Sequence, residues 1–319
     1  MRPKAQSRNA EISIIGFGNW GTSLAAALTR AGTPPREIVV RHRKRRQSRT
    51  VAWGEAALDA RILWLCVPDS AIADAAAEIL RRRAGLNGQG LRGQILVHSS
   101  GALTVDALKP AHRAGAAVAS VHPAMTFPTR RIVPLDGVLF GVEASNPGVR
   151  RTLHGLVRRL GGQPFDVASK NKALYHAAGT LASPLLVAEL AATIEAARLA
   201  GLDRRTAPRW VEALATATAR NLFARGPGLS FSGPFARGDS ATIRLHLQAL
   251  QKHPILADLY RSLAVYALDH LPVQNRRALE KALSLPAAPE SKQQGAKPPR
   301  EKLKRRVSRS SRKSQAIAH

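Results

Sequence analysis

The sequence predicts an α/β fold in which a doubly wound, mainly parallel sheet is followed by an all-α domain. Short β-branched runs alternate with helical patterns through the first half of the chain, which is typical of a parallel sheet covered by helices. No strand pattern follows residue 167. Hydrophobic residues make up 45 % of the 319 residues and aromatic residues only 4 %, so the core must consist mainly of Ala, Leu, Val and Ile.

The predicted strands are recognised by their β-branched and large apolar residues. In order along the chain they are residues 12–15, 37–40, 62–67, 94–97, 116–121 and 138–142, with a last extended segment at 163–167. Between them, the Ala- and Leu-rich segments 22–30 and 72–83 are predicted as helices.

One crossover departs from this pattern. Only residues 41–49 separate the strand at 37–40 from the next apolar run at 50–53. A parallel crossover usually takes a dozen or more residues. Either the helix of this crossover is missing, or residues 50–53 are not a strand of the sheet.

The second half of the chain is predicted to be helical. Its helical patterns are residues 173–199, 207–225, 242–251 and 255–271. We therefore divide the chain into a disordered N-terminus (1–10), a dinucleotide-binding domain (11–167), a helical domain for substrate binding and dimerisation (168–285) and a disordered basic tail (286–319).

The formal net charge of +28 is partly local. One basic cluster follows residue 40, and another lies in the tail, which has no periodic apolar face and cannot bury enough surface to fold by itself. The tail is interpreted either as a solvated extension or as a weak contact for nucleic acid or another polyanion.

Composition also bounds the location and the chemistry. Cys66 is the only cysteine, so no disulfide can form within the chain and no cysteine-based metal cluster is expected; we interpret it as a small buried thiol. The N-terminal ten residues lack the apolar region of a secretion signal, and no segment is uniformly apolar over the length of a bilayer. We expect a cytoplasmic protein without membrane contact or bound metal.

The sequence Gly16-Phe17-Gly18-Asn19-Trp20-Gly21 matches the G-x-G-x-x-G pattern of dinucleotide-binding turns. It follows a predicted strand and opens a predicted helix, which is the context that gives the pattern its meaning. Gly16 permits the tight turn, Gly18 allows the backbone to approach the pyrophosphate, and Gly21 allows helix and strand to pack closely. We predict a Rossmann-type domain in which all six residues contact the cofactor.

The end of the second strand indicates which dinucleotide is bound. NAD-binding domains place a carboxylate there to bond the ribose 2′-hydroxyl, whereas this chain has Arg41 and Arg43 in that place. Guanidinium groups bind a 2′-phosphate bidentately, so the sequence predicts NADP.

Residues at the ends of the next two strands are predicted to border the same cofactor. Val67 and Pro68 end one strand, and Ser99 ends the next, at the edge of the sheet where open α/β folds bind ligands. Asp69 either borders the ribose or, as the favoured interpretation, caps the following helix.

Six segments together resemble a known family. They are residues 16–21, 67–69, 98–102, 122–127, 172–176 and 233–239, and in this order they resemble Rossmann-like proteins with a helical domain of unknown function, the domain family numbered 2520. Such proteins are distantly similar to pyrroline-5-carboxylate reductase, prephenate dehydrogenase and the 6-phosphogluconate and β-hydroxyacid dehydrogenases. The resemblance implies an oxidoreductase and covers residues 11–285.

The chain departs from the family pattern at three positions. Ala124 and Met125 stand where the family usually has Leu and Gln, and Pro184 stands where it usually has Asn. The changes at Met125 and Pro184 replace polar side chains that could contact a substrate. The segment after Arg41 is also shorter than in similar proteins.

Candidate catalytic residues follow from the resemblance and from their place in the predicted fold. His122, at a strand end, resembles the His-Pro of prephenate dehydrogenases and would exchange a proton with the substrate, with a pKa near the working pH. Lys172 and His176 share a helix face, as the catalytic Lys and Asn of β-hydroxyacid dehydrogenases do. Ser100 could hold a substrate oxygen. For each residue a purely structural role remains open: a strand-end cap, a solvent-exposed lysine or a Ser-Gly turn.

Two further residues are candidates for substrate binding. Tyr175 lies between Lys172 and His176, and Arg237 lies in a Gly- and Pro-rich loop where it could bind a carboxylate. The favoured hypothesis is an NADP-dependent oxidoreductase acting on the CH–OH or CH–NH group of a small, carboxylated alcohol, ketone or imine. The alternative is a non-catalytic NADP-binding sensor. Nucleic-acid binding is suggested by charge alone.

Overall fold

The computed structural model describes residues 11–41, 50–87 and 90–284. The predicted tails, residues 1–10 and 286–319, and Arg43 lie outside these ranges. The described chain forms two compact units that divide between Ala188 and Glu189. The predicted boundary after Val167 therefore lies within the first unit, because the segment that follows it is anchored in that unit through Lys172.

The first unit contains a mainly parallel sheet, as the sequence predicts, and this sheet has eight strands. Its strands are β1 (Ile12–Ile15), β2 (Glu37–Val40), β3 (Thr50–Ala52), β4 (Ile62–Leu65), β5 (Ile95–His98), β6 (Ala117–Pro123), β7 (Leu139–Ala144) and β8 (Gln163–Asp166). Their order in the sheet is β3-β2-β1-β4-β5-β6-β7-β8, and every neighbouring pair is parallel except β6 and β7.

Helices cover both faces of this sheet. They are α1 (Asn19–Arg30), α2 (Ile72–Asn87), α3 (Lys109–Arg113), α4 (Pro147–Arg159) and α5 (Lys172–Thr180). Successive strand residues point to opposite faces, so that Ile14 packs with α1 and α4 whereas Ile15 packs with α2 and α3. Each face buries its own apolar core, which explains why the strands are apolar throughout.

The segment after the short crossover is a strand of the sheet, which decides between the two alternatives left open by the sequence. β3 pairs in parallel with β2, with Ile38 opposite Thr50 and Val40 opposite Ala52. The strand is only three residues long and occupies the edge of the sheet, where half of its backbone needs no strand partner.

The predicted long helix after Lys172 is interrupted. A widened turn of π type, Leu181–Leu185, separates α5 from α6 (Leu186–Leu199) and contains Pro184. Proline has no N–H to continue the ladder, which accounts for the change in helical pitch at this position. The residue that departs from the family pattern therefore also reshapes the helix.

The second unit is helical, as predicted. Its helices after α6 are α7 (Thr206–Arg225), α8 (Pro227–Ser230), α9 (Gly233–Ala236), α10 (Ser240–Leu250), α11 (Pro254–His270) and α12 (Arg276–Leu283). Buried side chains of α10, α11 and α12, among them Leu247, Leu268 and Leu279, form its core. The Asp239 side chain accepts a hydrogen bond from the backbone N–H of Thr242 and so caps α10.

Among the residues that the structure describes, one helical run, Ser169–Leu199, is long and apolar enough to cross a membrane by length and composition. This is weak evidence for a membrane span. The run carries Glu189 and Glu195, and its first turn holds Lys172 in a buried ion pair of the first unit.

Candidate active site at the carboxyl edge of the sheet

The glycines of the turn between β1 and α1 occupy three different environments. Gly16 has φ +102°, and a Cβ there would lie 2.4 Å from the carbonyl oxygen of Cys66. A Cβ on Gly21 would lie 2.4 Å from the carbonyl oxygen of Gly16, whereas one on Gly18 would meet nothing within 4 Å. Gly16 and Gly21 are thus required by packing within the protein, and Gly18 faces open space that a ligand can fill.

A cavity of about 810 Å³ lies in front of this turn. It is bordered by the ends of β1, β2 and β4 and by one face of α2; the residues around it include Gly16, Phe17, Gly18, Val40, Arg41, Trp53, Val67, Pro68, Asp74, Glu78 and Arg130. Its volume suits a ligand of dinucleotide size, and the backbone N–H groups at the start of α1 suit a phosphate. The residues present therefore fit an NADP molecule. Contact with each of them stays a prediction.

The charges around the cavity differ from the sequence expectation in one respect. Arg41 follows β2 and borders the cavity, as predicted. Carboxylates nevertheless reach the same cavity from α2, as Asp74 and Glu78, and Glu78 is ion-paired with Arg81 and Arg82. Sequence reasoning considered only the end of β2 and so missed α2.

Three residues predicted to contact the cofactor, Asn19, Trp20 and Ser99, make side-chain hydrogen bonds within the protein. The indole N–H groups of Trp20 and Trp64 donate to the Ser99 hydroxyl oxygen at 2.7 and 2.8 Å. The Asn19 amide donates to the Phe127 carbonyl at 2.7 Å. The Trp20 ring packs in the core, 5.1 Å from the Phe127 ring. Their side chains anchor the turn, and contact of these residues with the cofactor stays a prediction.

Ser100 is buried and its hydroxyl is fully hydrogen-bonded. It donates to the Asp69 carboxylate at 2.6 Å and accepts from the backbone N–H groups of Ala102 and Leu103. A hydroxyl has one donor and two acceptor sites, so none remains for a substrate oxygen. The favoured interpretation of Asp69 as a helix cap is also wrong, because Pro68 occupies the cap position and Asp69 instead fixes this turn.

His98, at the end of β5, is buried beside Ser100. Its Nε2 lies 3.2 Å from the Thr104 carbonyl oxygen, and its Nδ1 lies 3.2 Å from the Ser100 backbone nitrogen, which donates to it. Burial lowers the pKa of His98 to about 4, so the ring is neutral near pH 7 with its proton on Nε2.

His122 lies in a cluster with Tyr175 and His176 from α5. Its Nδ1 is 2.8 Å from the Tyr175 hydroxyl, and its ring centroid is 5.7 Å from that of His176. Burial first, and then electrostatic interaction with His176 and Lys172, lowers the pKa of His122 to about 4. The expected pKa near the working pH is therefore wrong: the ring is neutral over the physiological range.

Two glycines make room for this cluster. A Cβ on Gly101 would lie 2.4 Å from the His176 ring and 2.8 Å from Nε2 of His122, and one on Gly141 would lie 2.8 Å from the Tyr175 hydroxyl. Backbone approaches the three rings closely from both sides. Sequence reasoning assigned Gly101 only to a turn and did not consider Gly141.

Lys172 is not a solvent-exposed lysine. Its side chain is 1 % exposed, and its Nζ lies 3.0 Å from Glu143 Oε2 in β7. The other carboxylate oxygen, Oε1, accepts from the Val105 backbone N–H and the Ser169 hydroxyl. Burial lowers the pKa of Lys172, and Glu143 opposes this shift. This arrangement does not fit direct proton donation to a substrate. Glu143 was missed because it lies within an apolar strand, 29 residues from Lys172.

Arg237 lies in the second unit. Its side chain is exposed and it follows the last turn of α9. Among residues 11–41, 50–87 and 90–284, no group of three or more His, Cys, Asp or Glu side chains is arranged to hold a metal ion.

Comparison with known proteins agrees with this architecture. Residues 3–123 match the model of a Rossmann-like domain, and residues 138–267 match the model described as a domain of unknown function, DUF2520. The chain combines a Rossmann-like domain with a DUF2520 domain. The DUF2520 match includes β7 and β8, so this family model spans strands of the sheet as well as the helices that follow. No curated protein matches the chain.

Several solved structures share the fold. A candidate NADP oxidoreductase from Bacteroides fragilis is 22 % identical with a TM-score of 0.64, covering 81 % of this chain and 97 % of its own. Pyrroline carboxylate reductase from Plasmodium falciparum, with NADP bound, is 14 % identical with a TM-score of 0.54, covering 87 % and 98 %. A reductive aminase from Aspergillus terreus, in complex with NADPH and ethyl levulinate, is 14 % identical with a TM-score of 0.56, covering 86 % and 99 %. At these identities the likeness establishes the fold, a Rossmann-like domain followed by helices.

The glycines of the Rossmann-like domain should separate folding from binding. Gly18→Val is expected to abolish NADPH binding while the melting temperature stays close to that of the wild type, because its side chain enters open space. Gly16→Ala is expected to cost at least about 1 kcal/mol of stability, because its backbone is left-handed and the Cys66 carbonyl is too close. Calorimetric titration and thermal melts measure the two effects. A Gly18→Val protein as unstable as Gly16→Ala would contradict this assignment.

The Glu143–Lys172 pair should contribute far more than a surface pair. Glu143→Gln keeps the shape of the side chain but leaves a buried lysine without its counter-charge, and should cost roughly 3 to 5 kcal/mol. The double variant Glu143→Gln/Lys172→Met should recover most of this loss. As a matched control, Asp136→Asn breaks the exposed pair with Arg30 and should cost about 1 kcal/mol or less. Urea denaturation measures all three; equal effects of Glu143→Gln and Asp136→Asn would show that the buried pair has no special role.

Proposed function

We propose that the protein is an NADP(H)-dependent oxidoreductase acting on the CH–OH or CH–NH group of a small carboxylated alcohol, ketone or imine. One observation carries the proposal: the glycine turn with its cavity and the His122–Tyr175 pair follow parallel strands of one sheet and so share its carboxyl edge. Open α/β sheets bind cofactor and substrate at this edge. The names of the structural neighbours, which include NADP and NADPH complexes, support the choice of cofactor.

The cofactor half of the site is proposed to bind NADP through its phosphates. The pyrophosphate would lie at Gly18 and the start of α1, and the 2′-phosphate at Arg41, with Val67 and Pro68 beside the ribose. Bound NADP would supply the acceptor or donor of the hydride. Arg43 belongs to the same basic segment but lies outside the described residues.

The chemical half of the site, meaning the residues that exchange a proton with the substrate, is proposed to centre on His122. In one tautomer, Nδ1–H donates to Tyr175 and the Nε2 lone pair can accept the proton of a substrate O–H or N–H that is being oxidised. In the other tautomer, Tyr175 donates to Nδ1 and Nε2–H can donate to a substrate heteroatom. The neutral ring can therefore serve both directions of the reaction.

The remaining candidates have different proposed roles. Lys172 acts as a positioning residue through Glu143, which joins α5 to β7 and so places Tyr175 and His176 beside His122. His176 is proposed to face the substrate together with His122. Binding of a substrate carboxylate by Arg237 stays a prediction of the sequence. Ser100 is proposed to shape the turn.

The alternative function, a non-catalytic NADP-binding sensor, is favoured by a specific observation. Two of the four predicted catalytic side chains, Ser100 and Lys172, have their polar atoms engaged within the fold. A sensor needs the cavity but no proton donor. Binding of NADPH without turnover of any small carboxylated alcohol, ketone or imine would favour it.

The proposed assembly is a homodimer through the helical domain. Large apolar side chains of α6 and α7 are exposed, including Val187 at 67 % and Phe223 at 86 %, and a second copy of the chain would cover them. The cytoplasmic location and the contact of the basic tail with a polyanion also stay predictions.

NADPH should bind at least about tenfold more tightly than NADH, a difference of about 1.4 kcal/mol. Arg41→Ala should remove most of this preference by weakening NADPH while changing NADH by less than about threefold, because only NADPH carries the 2′-phosphate. Arg113→Ala, on the exposed end of α3, is the matched control and should change neither. Calorimetric titration gives these affinities, and equal affinities for the two cofactors in the wild type would refute the choice of NADP.

His122→Gln should reduce turnover about a hundredfold or more while NADPH affinity changes by less than about threefold. His246→Gln is a close control, because His246 also lies against a tyrosine hydroxyl, that of Tyr260 at 2.9 Å, but in the second unit; it should leave turnover unchanged. Both are measured on a substrate found by screening small carboxylated alcohols, ketones and imines.

The pH dependence provides a second readout for His122. Because its pKa is lowered to about 4, the ring stays neutral as the pH falls from 8 to 5, and oxidation should be lost only as the pH falls through about 4. A titration of turnover near pH 6.5 that disappears in His122→Gln would show that the ring has an ordinary pKa.

A further inference from the structure

The loop between β6 and β7 lies against the start of α1. The Asn19 amide donates to the Phe127 carbonyl at 2.7 Å, and the Val133 backbone N–H donates to the Ser23 hydroxyl at 3.1 Å. The Phe127 ring also packs against Trp20. The loop is therefore fixed on both sides of residues 128–132 by the same helix that follows the glycine turn.

This attachment brings Arg130 to the cavity. Arg130 borders the same space as Gly18 and Arg41, although it lies 89 residues beyond Arg41 in the sequence. Within the described part of the chain, no carboxylate lies within ion-pair distance of Arg130, and Glu78, which also borders the cavity, is already paired with Arg82. Among residues 11–41, 50–87 and 90–284, Arg130 therefore has no ion-pair partner, although it borders the cavity.

We propose that Arg130 is a phosphate-binding residue of the cofactor site, supplied by the loop after β6. The inference rests on the proposed function, because it takes a dinucleotide phosphate as the ligand. A guanidinium beside a cavity that also has the N-terminal amides of α1 suits a dianionic or pyrophosphate group, which it can bind bidentately. Asn19 has a second role in this arrangement, since its side chain sets the position of the loop while its backbone faces the phosphate.

Arg130→Ala and Arg131→Ala make a matched pair, since both residues are exposed and adjacent but only Arg130 borders the cavity. NADPH and NADH are titrated into each full-length variant by calorimetry. Arg130→Ala should weaken NADPH binding about tenfold or more, Arg130→Lys should recover part of the loss, and Arg131→Ala should change affinity by less than about twofold. Thermal melts of all variants should coincide, because neither side chain is buried.

The two cofactors identify which phosphate is bound. A loss confined to NADPH assigns Arg130 to the 2′-phosphate, and an equal loss for both assigns it to the pyrophosphate; either result supports the proposal. Unchanged affinities in Arg130→Ala, with normal binding by the wild type, overturn this inference alone. Failure of the wild type to bind NADPH overturns the proposed function itself.

Discussion

A carboxylate inside β7 is paired with an ammonium group inside α5, and the position of the chemical half of the site depends on that contact. Glu143 is 4 % exposed and Lys172 is 1 % exposed, so neither charge is solvated by water. Each is tolerable only beside the other, which fixes the start of α5 against the sheet. Because Tyr175 lies one turn further along α5, the same contact sets its distance from His122. Glu143 also binds Val105 and Ser169, so that three separate segments share one anchor.

The sheet could be predicted from the sequence because its cause is local. Apolar β-branched runs, glycine turns and helical periodicity are all visible within a few residues, and even the doubtful strand at Thr50–Ala52 was one of the two alternatives. The partner of a side chain is not local. Ser99 and Ser100 were correctly placed at a strand end, yet their hydroxyls are occupied by Trp20, Trp64 and Asp69, which lie 31 to 79 residues away.

The difference between local sequence patterns and distant side-chain partners also explains why the environment of the charged residues was not predicted. Lys172 opens a helix, and its neighbours in sequence leave both a catalytic and a solvent-exposed position open. Its burial depends on Glu143, and an acidic residue in a strand pattern gives no sign of the element that will cover it. Arg130 is the converse case: nothing around it in the sequence indicates a ligand, and only the attachment of its loop to Asn19 brings it to the cavity.

The cofactor half and the chemical half of the site differ in how closely the backbone surrounds them. The cofactor half is an open cavity in which Gly18 leaves space unfilled. Around His122 the backbone approaches the neighbouring rings closely, since a single methyl group on Gly101 would lie 2.4 Å from the His176 ring and one on Gly141 would lie 2.8 Å from the Tyr175 hydroxyl. Close contact with backbone keeps water from the ring and lowers the pKa of His122, because the charged imidazolium loses more hydration than the neutral ring. An alanine at Gly101 or Gly141 would displace the rings that define the site.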